Sequence, residues 1–128
     1  MDVVWAASPS LPCRVRFRLD EVVIDSLDPA AVARFWAALL GGGSVDRADG
    51  WSYLDAPGFP RLLFQPVPEP KTGKNRLHLD VGVDDLATAV ATAVGLGATA
   101  VGEVITDEHG PFHAVRDPEG NEFCFTGP

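Results

Sequence analysis

The strongest constraint in this chain is that one pattern is written twice. A β-rich run leads to an aspartate seven residues on, and an amphipathic stripe follows; Glu21 and Asp28 recur as His78 and Asp85, both displaced by 57 residues. In the first copy, Val32, Phe35, Trp36, Leu39 and Leu40 fall at i, i+3, i+4, i+7 and i+8. In the second, Leu86, Ala89, Val90, Ala93 and Val94 do the same. That spacing lines one face of an α-helix, with Asp28-Pro29 and Asp85 as start signals and Gly41 and Gly97 as stops. The predicted helices are Asp28 to Leu40 and Asp85 to Leu96.

Short extended runs fill the rest: Leu19 to Ile24, Ser44 to Arg47, Trp51 to Leu54, Leu62 to Gln65, Leu77 to Val83, Thr99 to Val104, Phe112 to Arg116, and Glu122 to Phe125. Between the copies, Pro66 to Arg76 holds too many breakers for a helix or central strand. The order is βαβββ twice, over repeats at about 19–66 and 77–126. A chain of 128 residues is one domain's worth, so the expected fold is α+β. Two βαβββ modules form a half-open, curved, eight-stranded mixed sheet with both helices on its convex face. Residues 1–18, with Pro9 and Pro12 and no periodicity, are an extension to the domain at 19–128.

Alternation along the strands predicts what lies inside such a cup. Val22 and Ile24 on the first strand, and Leu77, Leu79, Val81 and Val83 on the fifth, should pack on the helices. That leaves Glu21, His78 and Asp80 on the concave side, where carboxylates and imidazole are costly unless they bind something. Trp51 and Tyr53, alternating on a short strand, together with Phe64, are candidates for pocket walls. Trp36 belongs to the helix stripe and to the core. His109 and His113 flank Gly110-Pro111 in a loop at the rim, where either could act as a general base.

Charge narrows the partners. Ten basic residues face eighteen acidic ones, and without the first eighteen residues seven face seventeen. Nucleic acid and anionic membrane surfaces are therefore not expected partners, and no apolar stretch approaches a membrane span. The basic run Lys71, Lys74 and Arg76 is where an anionic ligand would be met. Two cysteines and no secretory signal point to a reduced, cytoplasmic setting.

The strand His78-Leu79-Asp80-Val81 leading into Val83-Asp84-Asp85-Leu86, and the turn Asp117-Pro118-Glu119-Gly120-Asn121-Glu122-Phe123, carry a resemblance. With the doubled βαβββ unit, they resemble the vicinal oxygen chelate superfamily of glyoxalases, bleomycin-resistance proteins, fosfomycin-resistance transferases and extradiol dioxygenases. The similarity spans about residues 19–126. Through Val67-Pro68-Glu69-Pro70-Lys71 and Asn75-Arg76-Leu77-His78-Leu79-Asp80 the chain is most similar to the uncharacterised glyoxalase-like branch.

The resemblance implies a small-molecule site in the cup, with Glu21 and His78 doing proton transfer in a lyase, isomerase or oxygenase. Asp80, Trp51, Tyr53, Phe64, Gln65, Arg76 and Glu122 would contact the substrate. The alternative it implies is a non-catalytic protein that sequesters a drug, as bleomycin-resistance proteins do. Homodimers are usual in similar families, and exposed sheet edges favour one.

Metal-using members of the superfamily take ligands from the first and last strands of each repeat, which here correspond to Glu21, Gln65, His78 and Cys124. A carboxylate, amide, imidazole and thiol make an odd set for a hard ion, and Cys124, between Phe123 and Phe125, reads as a small buried hydrophobe. No tightly held metal is expected; an ion held there would be zinc, nickel, manganese or iron.

Overall fold

The computed structural model describes residues 15–128; the expected extension lies mostly outside these residues, and so does Cys13. The element order is β1 (Glu21–Ser26), α1 (Pro29–Leu40), β2 (Ser44–Asp46), β3 (Ser52–Leu54), β4 (Arg61–Pro66), β5 (Asp80–Gly82), α2 (Leu86–Gly95), β6 (Thr99–Asp107), β7 (Gly110–Arg116) and β8 (Glu122–Thr126). This is βαβββ twice. Both helices start where the capping aspartates sit: Asp28 accepts from the Ala31 amide at 3.2 Å and Asp85 from the Thr88 amide at 3.1 Å.

The eight strands do not share one ladder. They form two four-stranded mixed sheets, ordered β1-β4-β3-β2 and β5-β8-β7-β6, each with one parallel pair. The two sheets correspond one to each βαβββ module read from the repeat. Helix α1 packs on the first and α2 on the second.

What joins the modules is side-chain packing and a clamp at the turn before β8. Trp36 of α1 stacks on Phe123 of β8, with ring centroids 4.6 Å apart, and Phe123 meets Phe125 edge-on at 5.3 Å. One apolar cluster runs through both modules, from Val32, Trp36, Leu62 and Phe64 to Val81, Val115, Phe123 and Phe125.

The clamp is polar. Asp117, 3% exposed, accepts from Trp36 Nε1 at 3.0 Å, from the Glu119 and Asn121 amides at 2.9 Å, and from Asn121 Nδ2 at 3.0 Å. Gly120 closes this turn at φ +84°, a conformation that side chains disfavour. Glu119 then reaches across to the start of α1. It accepts from the Leu27 amide at 2.7 Å, the Asp28 amide at 3.2 Å and the Ser26 hydroxyl, so its charge sits at the helix end that favours an anion.

Two local expectations are also corrected. Strand β5 is only three residues long, and Leu77 and His78 precede it; Leu77 is 73% exposed rather than packed on a helix. The carbonyl of Glu122, which could extend the ladder, is taken by Asn75 Nδ2 at 3.2 Å. Phe64, expected on a pocket wall, is fully buried in the core cluster. It shares the helix-facing side of β4 with Leu62, opposite to Gln65.

Candidate functional site on the open face of the second sheet

With Phe123 and Phe125 turned to the core, the opposite parity of β8 leaves Glu122, Cys124 and Thr126 on the sheet's other face. In the parallel pairing of β5 with β8, Asp80 is the Cα partner of Cys124 and Gly82 that of Thr126. Asp80 and Cys124 are therefore neighbours on one face, and His78, two residues before Asp80, falls on the same side. His78 Nε2 lies 3.2 Å from Asp80 Oδ1. The donor atoms of His78, Asp80 and Cys124 lie within 4.8 Å of one another.

These three residues line a cavity of about 460 Å³ with Asp107, His109, Gly110, Pro111, Phe112 and Thr126. Among the described residues the lining has two carboxylates, two imidazoles and no lysine or arginine. It is partly open: the side chains of His78 and Asp80 are 53% and 60% exposed. A second, apolar cavity of about 190 Å³ lies at the junction of the modules. His78 lines it too, with Val22, Ile24, Trp36, Leu79 and Phe123. Thus His78 stands between the open cavity and the one at the junction. Asn75 Oδ1, also at this junction, is buried without a hydrogen-bond partner among the described residues.

Burial raises the pKa of the Cys124 thiol, and the negative charges of Asp80 and Glu122 add to the rise. The folded state therefore favours the protonated sulfur. That preference stabilises the fold below the ordinary thiol range and is lost as pH rises through the raised value. In a Cys13→Ser background, Cys124 should alkylate more slowly at pH 8 than a free thiol of pKa about 8.5, and Glu122→Gln should speed it. A rate equal to that of a small-molecule thiol would contradict the arrangement.

The first sheet's face is organised differently. Arg61, the Cα partner of Glu21, stacks its guanidinium over Tyr53 at 3.9 Å and pairs with both oxygens of Asp55 at 2.9 Å. This pairing lowers the pKa of Asp55 and raises that of Arg61, to which Glu21 contributes further. Arg47 lies over Trp51 at 5.5 Å. The two aromatics predicted for a pocket are thus held against arginines that the sequence reading did not single out. Cross-strand parity was the available signal, since Arg61 and Gln65 alternate in step with Glu21 and Asp25 across the β1–β4 pair.

Of the other candidates, Glu122 lines the junction cavity, with its carboxylate 3.7 Å from Lys71 Nζ. Gln65 lies in β4 as the partner of Asp25, and Arg76 is exposed outside these cavities. His109 is in the turn between β6 and β7, as expected of a rim residue. His113 is not in a loop; it sits within β7, its Nε2 2.9 Å from the Gly102 carbonyl beside the β6 bulge. A carbonyl only accepts, so Nε2 carries the proton and His113 is committed to the sheet. Among the described residues, the cluster of metal-capable His, Cys, Asp and Glu donors joins His78 and Cys124 to Asp80; Glu21 is not in it.

A family model described as glyoxalase-like domain matches residues 21–126. A glyoxalase/bleomycin resistance protein/dioxygenase family enzyme from Burkholderia phytofirmans is 21% identical, with a TM-score of 0.72 over 84% of this chain and 96% of that one. A glyoxalase-related enzyme from Fulvimarina pelagi is 20% identical, with a TM-score of 0.68 over 87% and 88%. A glyoxalase/bleomycin resistance protein from Albidiferax ferrireducens is 20% identical, with a TM-score of 0.67 over 86% and 98%. At these identities the likeness is one of fold. No curated protein matches the sequence.

Proposed function

The chain belongs to the glyoxalase-like domain family, and from that premise we propose that it binds a small organic molecule on the open face of its second sheet, with His78 and Asp80 as the main polar contacts. One observation carries the reading. The His78–Asp80 pair faces a cavity of about 460 Å³, within the size range of small-molecule sites. The apolar cavity beside His78 is of a size to take a ring or short alkyl group of the same ligand. An imidazole held by a carboxylate can give or take a proton at a bound oxygen, which is the chemistry of the lyase or isomerase reading.

The sequestering alternative has its own support. Asp80, Asp107 and the Phe112 ring line the cavity and, among the described residues, no lysine or arginine does, a setting that favours an organic cation. No described helix is long and apolar enough to cross a membrane. The acidic balance of the chain and the two cysteines support a cytoplasmic protein acting on a small molecule. The outer edges of β2 and β6 have no strand partner within the described residues, which supports a homodimer that covers them.

The test is a thermal-shift and calorimetric screen of organic cations and oxygen-rich anions against chelator-treated protein. A binder should lose its heat of binding in His78→Ala and keep it in Arg76→Ala, with circular dichroism unchanged in both. Binding that is equal in His78→Ala and wild type would remove His78 from the site and end this reading.

A further inference from the structure

We propose that residues 15–20 are an arm that adds as an extra strand to the open edge of β6 in a second copy of this chain, and that the two copies exchange arms reciprocally. The inference rests on the homodimer reading and says which segments make that dimer. In sequence, Val15, Phe17 and Leu19 alternate with Arg14, Arg16 and Arg18. That two-residue period gives a strand one apolar side and one basic side.

Within a single chain the arm has no ladder to join. The parallel pairing of β1 with β4 begins at Glu21 and Arg61. One residue earlier, Asp20 would face Pro60, which has no amide hydrogen to donate. The arm therefore leaves the sheet with its side chains uncovered. Phe17 is 92% exposed, and Val15 and Leu19 are exposed on either side of it. A run of large apolar side chains standing in water marks an interaction surface.

The second copy offers two edges, and they differ. β2 is three residues long and leads into Arg47. β6 is nine residues long, carries Glu103 and Asp107 with no lysine or arginine, and exposes Val104 and Ile105. Apolar and charged residues of the arm thus find counterparts on β6. Arg18 is already held by Asp20 at 2.7 Å within the arm, which makes Arg16 the residue to meet a β6 carboxylate. Beyond the first eighteen residues the chain has seven basic and seventeen acidic residues, so a basic arm is drawn to the acidic body of another copy. Fully extended, six residues span about 20 Å. Each chain carries both an arm and an edge, so a two-fold pair satisfies both and closes without further growth.

The experiment is sedimentation of the full chain across a range of concentrations. The expected result is a dimer that weakens as salt is raised, because part of the attraction is ionic. Phe17→Ser and deletion of residues 1–19 should each weaken dimerisation by about 10-fold or more, the effect of losing an aromatic anchor, with circular dichroism of the folded chain unchanged. Ile105→Lys, which places a charge on the edge, should do the same. A mixture of Phe17→Ser with Ile105→Lys should form a heterodimer more tightly than either variant pairs with itself, because one intact arm then meets one intact edge.

A full chain that stays monomeric would overturn both this inference and the homodimer reading. A dimer that survives Phe17→Ser and the deletion would keep the homodimer and remove the arm from it. Failure of the two variants to associate when mixed would overturn the pairing of the arm with β6.

Discussion

Replacing Asp117 with alanine should cost about 3 kcal/mol of stability, because at least one buried donor, Trp36 Nε1, is left without a partner at about 1–3 kcal/mol and the turn loses its other three bonds. For a domain of this size that is a fall in melting temperature of roughly 10 °C or more. The effect should reach both modules, since the turn is where the second module grips α1 of the first. Asp117→Asn retains one carbonyl acceptor and should fall between alanine and wild type. A melting temperature for Asp117→Ala within about 2 °C of wild type would mean that this turn does not hold the modules together.

Phe123→Ala should be at least as damaging, at about 3–5 kcal/mol, the usual range for deleting a buried phenyl group. Phe123 is 1% exposed, stacks on Trp36 and Phe125, and walls the junction cavity. Removing it enlarges a space already of about 190 Å³, and neighbouring strands cannot collapse into it without breaking their ladders. Phe112→Ala is the matched control. That ring lines the open cavity and is only half-buried, so its loss should change ligand binding more than stability. Urea midpoints for the two variants decide the matter, and a larger drop for Phe112→Ala would reverse the assignment of the two faces.

Both predictions concern contacts between residues far apart in sequence, and the same separation explains what was legible in advance. The helices could be read because their signals are local: an aspartate cap, an apolar stripe at 3.6-residue spacing and a glycine stop lie within about a dozen positions. The doubled module followed from the 57-residue offset, and the inward parity of Val22, Ile24, Leu79 and Val81 followed from strand alternation. His78 and Asp80 were placed on the face away from the helix-packed residues by that same argument.

Alternation gives a face only as far as the strand extends. It failed at Leu77, because β5 starts at Asp80, where pairing with Cys124 begins. It could not choose the face of β4, and Phe64 went to the core. The sequence alone determined the two βαβββ modules, their helix caps and which residues of β1 and β5 turn away from the core. Only the tertiary structure decided that Asp80 meets Cys124, that Arg61 lies on Tyr53, and that Asp117 and Glu119 reach α1. Those contacts depend on strand register and on packing across as many as 93 residues of chain, and no local pattern encodes which distant partner a strand or turn will meet.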